Sequence, residues 1–187
     1  MSASEIIITC WSIFFVVWIV TAAKAKPTVE MQSAGSKLAH RIPVGIGSWL
    51  FLFPNFPGEF NRQILPRTAE LRMAGAVICI CGLVFTLWAR YTLAGNWSSD
   101  VTFKREHELI RTGPYRFVRH PIYTGLLVMF AGTTLHIGQL RCLLGLLLVA
   151  IGFWIKLGQE ERLLARHFPE AYPVYKRDVK ALIPFVI

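Results

Sequence analysis

Charge is scarce in this sequence. Asp, Glu, Lys and Arg make up 17% of its 187 residues, while 54% are hydrophobic and the mean hydropathy is +0.48. That balance excludes an ordinary soluble domain and places the chain in the membrane class. Cysteine is also sparse. Cys10, Cys79, Cys81 and Cys142 all lie in apolar segments, with no metal-ligand spacing and no disulfide framework. They read as small apolar fillers, and no metal is expected. There is no internal repeat and no low-complexity tract. No basic stretch precedes the first apolar run, so that run reads as a retained transmembrane helix rather than a signal peptide. Acidic residues are few, 11 against 20 basic, for a net charge of +9. In a soluble chain such an excess raises the question of nucleic acid. In a membrane chain it sets orientation instead, and no nucleic-acid partner is expected.

What the sequence has is long apolar runs. A spanning helix needs about 20 mostly apolar residues. The pattern predicts a single membrane domain, 1–187, of about five transmembrane helices: Glu5–Ala23, Ile42–Phe56, Leu71–Tyr91, Pro121–Ile137 and Leu140–Leu157. The second is short and rich in Gly and Pro, and reads as a tilted, broken or re-entrant span. Pro121 suits a first helical turn, where its missing N–H costs nothing. With five spans, sixteen of the twenty basic residues fall on one side of the membrane and four, Arg62, Arg67, Arg72 and Arg141, on the other. The positive-inside rule then puts 92–120 and 156–187 together in the cytoplasm, with the N-terminus outside, in a multi-pass protein of the inner or plasma membrane. The fold expected is all-α, with a cytosolic C-terminal cofactor-binding region.

Polar chemistry concentrates in HELIRTGPYRFVRHPIYTG, from His107 to Gly125. A plain linker needs neither its histidines nor its Gly-Pro-Tyr turn. Only a few residues separate the last two spans, so these are antiparallel neighbours and their cytosolic ends meet. His120 and Tyr123 are thereby brought near Lys156, Glu160 and Glu161. Lys156 and Glu160 share one helix face. Glu160 suits an amine or ribose hydroxyls, and Lys156 or Arg119 a carboxylate. The N-terminus of the fourth span suits an anionic group. Tyr115 and Tyr123 offer aromatic faces to a base or a cation. Amine, carboxylate, ribose, base and sulfonium are the parts of S-adenosylmethionine, although the same set partly suits a dinucleotide. Other residues have plainer readings. Arg105, Arg111, Arg162 and Arg166 suit lipid headgroups. Trp11, Trp18, Trp49, Trp88 and Trp154 suit interface anchoring or packing, and Tyr172 and Tyr175 suit packing of the tail. Glu161 reads equally as the partner of Arg162 or Arg166.

The motifs AGNWS, HELI, GPYRFVRHPIY, EERLL and FPEAYPVYKRDV, in this order, resemble the isoprenylcysteine carboxyl methyltransferase family, including its bacterial and archaeal relatives, and more loosely the phospholipid methyltransferases. The resemblance runs from about Ala94 to Phe185. It implies a small helical membrane protein whose cytosolic part encloses S-adenosylmethionine. It implies that His107, Leu109, Ile110 and Tyr115 line the cofactor pocket, with His120, Pro121, Ile122, Tyr123 and Glu160. The family commonly has an Arg, tied to the substrate carboxylate, where this chain has Lys156. Lys keeps the charge and loses the planar two-pronged grip. Methyl transfer from a sulfonium to a lipophilic acceptor, such as the carboxylate of an isoprenylcysteine-like molecule, is the activity implied, with Lys156 and Arg119 at the acceptor. A carboxylate nucleophile needs no general base, whereas an amine or phenol needs one, for which His120 or Glu161 are candidates. Two alternatives stay open at this point: a membrane reductase of the sterol reductase type using NADPH, and a non-catalytic membrane binding protein. The partners expected are membrane lipid and a lipophilic or prenylated substrate.

Overall fold

The structure is a computed structural model, describing residues 1–22, 33–54, 56–93 and 109–186, together with the backbone of 28–31 and 102–104. Six helices carry the described chain: α1 Ala3–Ala22, α2 Ala34–Leu52, α3 Ala69–Leu93, α4 Pro121–Ile137, α5 Leu140–His167 and α6 Ala171–Asp178. A two-stranded antiparallel ribbon, β1 Thr28–Met31 with β2 Thr102–Lys104, joins the two polar loops. The patterning did not anticipate that ribbon.

Three of the helices, α1, α3 and α5, are long and apolar enough to cross a membrane, and α4 is a shorter apolar helix. Their outward faces are the wrong surface for water. On α1 alone, Ile8, Phe15, Val16, Ile19 and Val20 are all more than half exposed. Hydrocarbon, not solvent, suits such a face. The chain is an all-α integral membrane protein.

The second segment differs from its sequence reading. It is one continuous helix that starts earlier than expected and takes Lys37 and Arg41 into its first turns, with Pro43 inside. Ser33 caps it, accepting from Ser36 N at 3.3 Å. At 1.5 Å per residue, its 19 residues reach about 28 Å, close to the thickness of a bilayer core. It lies antiparallel to α5 along its whole length, Arg141 reaching the carbonyls of Leu50 and Phe51 at one end and Gln159 reaching His40 at the other. That packing, rather than its own hydropathy, carries it as one helix through the proline.

The helices alternate in direction. The most extensive contact, α3 on α4, is antiparallel and very close: a Cβ on Gly75 would sit 2.5 Å from Gly132 O, and one on Gly125 would sit 2.8 Å from Gly82 O. Small residues let backbones approach this way where no hydrophobic effect drives helix association. α1 crosses this pair, Trp11 donating to Thr133 Oγ1 at 3.1 Å and packing on Phe130. Gly138, at φ 70°, closes α4 in the left-handed conformation, and its N–H bonds Thr134 O at 2.8 Å. α5 starts two residues later. This tight turn brings the N-terminus of α4 beside the far part of α5.

Candidate functional site

Beyond Leu157, α5 leaves its apolar stretch and carries Gln159, Glu160 and Glu161 past the start of α4. His120 stands at the N-cap position of α4 and is buried at 7% exposure. Its Nδ1 lies 3.5 Å from Glu160 Oε2, and its Nε2 lies 3.5 Å from Glu161 Oε1. The second approach is an ion-pair contact, and Nε2 has no hydrogen-bond partner among the described residues. One turn into α4, Tyr123 donates to Glu160 Oε1 at 2.5 Å. Three rings and a cation stack here. The His120 ring lies on Tyr123 at 5.6 Å and 9°, Tyr123 lies on Phe153 at 4.9 Å, and Lys156 Nζ stands over the Tyr123 ring at 5.4 Å.

Glu161 has a different setting. It is buried and held by Arg119, whose Nε donates at 3.0 Å and whose second terminal nitrogen also donates, and by Lys176 Nζ at 2.7 Å. The sequence pointed to Arg162 or Arg166 as its partners. Arg119 completes its donor set on the carbonyls of Lys176 and Val179. The C-terminal segment is tied to the start of α4 by its backbone. Arg119 N bonds Lys180 O at 2.8 Å, His120 N bonds Ala181 O at 3.0 Å, and Thr124 Oγ1 bonds Leu182 O at 2.7 Å. α6 is tied down in turn, Tyr175 OH donating to Tyr115 O and Arg111 to Ala171 O.

Burial alone would push the His120 imidazole down, but the two carboxylates outweigh it and raise its pKa above the ordinary value. Burial would likewise raise Glu160 and Glu161. For Glu160 the His120 ring, Lys156 and the Tyr123 hydroxyl reverse the sign, and for Glu161 His120, Lys176 and Arg119 do so, leaving both below the usual carboxylate range. Both carboxylates of the cluster are therefore ionised at neutral pH.

The structure brings His120, Tyr123, Lys156, Glu160 and Glu161 together, as the short α4–α5 turn requires. Pro121 is fully buried at the first turn of α4, and Ile122, Tyr123 and Tyr115 share one apolar cluster with Phe153 and Leu157, against which Ile110 packs. Leu109 is half-buried just before this region. His107 lies outside the described residues. Arg119 lies on the Glu161 side of the cluster, apart from Lys156. Unforeseen in the sequence is His40 on α2, buried at 3% exposure, whose Nδ1 pairs with Gln159 Oε1 at 2.9 Å while Gln159 Nε2 donates to Ser36 O at 3.0 Å. Only the lower part of α2 looked helical in the sequence, so nothing there placed a histidine beside Lys156 and Glu160.

The residue types in this cluster now have a geometry, and comparison with known proteins gives it a family. The model of the family described as phospholipid methyltransferase matches residues 71–171, more than half of the chain. The chain belongs to that family. Curated relatives of this phospholipid methyltransferase family member carry a narrower name. Protein-S-isoprenylcysteine O-methyltransferase of Saccharomyces cerevisiae is 31% identical over 139 residues, 73% of this chain and 57% of that protein. The protein of the same name from Xenopus laevis is 29% identical over 125 residues, 65% and 43% of the two chains, and that from Homo sapiens 27% over 175 residues, 90% and 60%. The chain spans about half the length of the curated relatives it matches. These matches agree with the resemblance read from the GPYRFVRHPIY and EERLL motifs.

Proposed function

We propose that the chain transfers a methyl group from S-adenosylmethionine to a lipophilic acceptor at the membrane–cytosol interface. The observation that carries this reading is the convergence of His120 and Tyr123 with Lys156 and Glu160 at one end of the bundle, in a chain of this family. The donor set fits the cofactor. Glu160, ionised and only partly covered, accepts from the amine or the ribose hydroxyls; His120 Nε2, which has no hydrogen-bond partner among the described residues, supplies a further polar contact; Tyr115, Ile122 and Tyr123 wall the pocket, with Leu109, Ile110 and Pro121 beside them, and the family resemblance assigns His107 to it as well. Bound there, S-adenosylmethionine supplies an electrophilic methyl group.

The residues then mainly hold and exclude. In-line displacement at carbon gains most from fixed geometry and a dry site. Lys156, over the Tyr123 ring and one turn before Glu160, holds the acceptor carboxylate as a point charge. Arg119 acts from the other side by fixing Glu161, and Glu161 with Glu160 fixes His120. A carboxylate acceptor needs no base. The relatives' name supports an isoprenylcysteine-like acceptor, and the basic end of the bundle faces the cytosol by the positive-inside rule.

Thermal shift of the detergent-purified protein with each cofactor tests the proposal. Stabilisation by S-adenosylmethionine or S-adenosylhomocysteine is expected. Stabilisation by NADPH alone would sink it in favour of a reductase, and a response to neither would leave a non-catalytic binder. A screen of lipid extracts with radiolabelled methyl donor then identifies the acceptor.

A further inference from the structure

A cavity of about 470 Å³ lies beside Glu161, lined among others by Arg119, Trp154, Gly158, Glu161, Lys176 and Lys180, with Leu157, Ala181 and Val186 as its apolar part. Trp154, Gly158 and Glu161 occupy a different face of α5 from Phe153, Lys156 and Glu160, about a third of a turn away at 3.6 residues per turn. The cavity thus opens on a different face from Lys156 and Glu160, with Glu161 standing between it and His120. Its polar rim is unbalanced, three cationic side chains against one carboxylate. Its floor is apolar, and at Gly158 a Cβ would meet nothing within 4 Å.

Three observations say what fits it. First, Leu147, Ile151 and Trp154, spaced i, i+4, i+7, form an outward stripe on α5, 51%, 53% and 50% exposed, that runs along the helix directly into the cavity. Second, the segment closing the cavity lies against the first turn of α4: Leu182 O accepts from Thr124 Oγ1, and the residues after it, Ile183, Phe185 and Val186, are 52%, 95% and 70% exposed. Third, these residues form a tight turn, Val186 N to Ile183 O at 3.1 Å, in which Phe185 takes a left-handed φ of 66° that a bulky residue rarely adopts. The turn faces that phenyl outward, where only hydrocarbon would favour it. An apolar stripe below, cations above and an aromatic wedge beside them match one ligand chemistry.

We propose that this cavity binds an anionic phospholipid, its headgroup between Lys176 and Lys180 and an acyl chain along Trp154, Ile151 and Leu147. The site shares Arg119 and Glu161 with the network that positions His120, while Lys180, Trp154, Ile151 and Leu147 take no part in the methyltransferase reading. The test uses the full chain in phosphatidylcholine bilayers doped with a small, equal fraction of either phosphatidylglycerol or phosphatidylcholine carrying brominated acyl chains, reading quenching of the fluorescence that Trp154→Phe removes. Each headgroup cation is worth roughly fivefold in local lipid preference. Quenching by the brominated phosphatidylglycerol several-fold above that by the phosphatidylcholine is expected, and Lys180→Glu should bring the ratio close to one. Gly158→Phe, whose Cβ would meet nothing within 4 Å and whose ring would occupy the cavity with the cations left in place, should do the same. Equal quenching by the two lipids, or a preference that survives both variants, overturns the proposal. So does collapse of the preference on adding millimolar inorganic phosphate at constant ionic strength, which would mark the site as one for a free anion.

Discussion

The two ends of the bundle are built alike and behave differently. Each is clasped by a bridge between distant segments: Gln63 with Gln139 at the end of the α4–α5 turn, Val118 with Lys180 at the start of α4. Each also buries an arginine. At the turn end, Arg141 is 4% exposed and is satisfied by Gln139 Oε1 at 2.9 Å and by the carbonyls of Leu50 and Phe51. At the other end, Arg119 uses two carbonyls in the same way but gives its remaining donors to Glu161. Carbonyls close a structure and titrate nothing. The carboxylate brings His120, Glu160 and Lys176 with it, and with them an atom, His120 Nε2, that has no hydrogen-bond partner among the described residues. One arginine finishes a helix junction. The other founds a site.

That contrast can be broken in stability first. Glu161→Ala strands Arg119 as a buried, uncompensated charge and should cost about 3–5 kcal/mol. Arg141→Leu removes the charge itself and leaves only carbonyls unpaired, so it should cost about 1–3 kcal/mol. Thermal unfolding in one detergent ranks the two, and equal costs would mean that the ends do not differ as described. Next in size is binding. Glu160→Ala should weaken S-adenosylhomocysteine binding by about a hundredfold, roughly 2.7 kcal/mol; titration calorimetry that finds normal binding would remove Glu160 from the pocket. Lys156→Ala should keep cofactor binding and lower acceptor turnover.

The glycine contact between α3 and α4 serves both ends, which sharpens the comparison. Gly125→Ala near the site and Gly132→Ala near the turn should each destabilise by about 1–3 kcal/mol through overpacking, and by similar amounts. The smallest expected effect is on pH. Because His120 has a raised pKa, its contribution to stability is full below the ordinary imidazole value and is lost as pH rises through the raised one. Glu160 and Glu161, held low, contribute above the ordinary carboxylate range and lose that contribution only on acidification. Melting temperature should therefore fall modestly from just below neutral to mildly alkaline pH, and His120→Gln should flatten the slope while Arg141→Leu leaves it intact.

Much of this was legible from the chain, for identifiable reasons. The apolar runs mark the helices, and a turn as short as Gly138-Gln139 leaves no freedom about where the ends of α4 and α5 meet, so Tyr123 and Glu160 had to be neighbours. The rest depended on contacts that no periodicity reports. α2 carries Lys37, Arg41 and Pro43 and looks broken until α5 is laid along it. Its His40 was invisible for the same reason. Glu161 lies next to Arg162 in sequence, yet helix geometry points them apart, and its partners come from 42 residues earlier and 15 later. The ribbon of 28–31 with 102–104 pairs segments with no strand signal of their own.

The backbone bonds from Arg119 and His120 to Lys180 and Ala181 also set an order of events during synthesis. α4 and α5 can enter the membrane as a hairpin as soon as both have been made. At that stage Arg119 has Glu161 but not the carbonyls of Lys176 and Val179, and His120 N has no acceptor. A chain made only as far as α5 therefore lacks the acceptors that tie down the start of α4 in the fold. The site closes only when residues 176–182 emerge and add themselves beside 118–120.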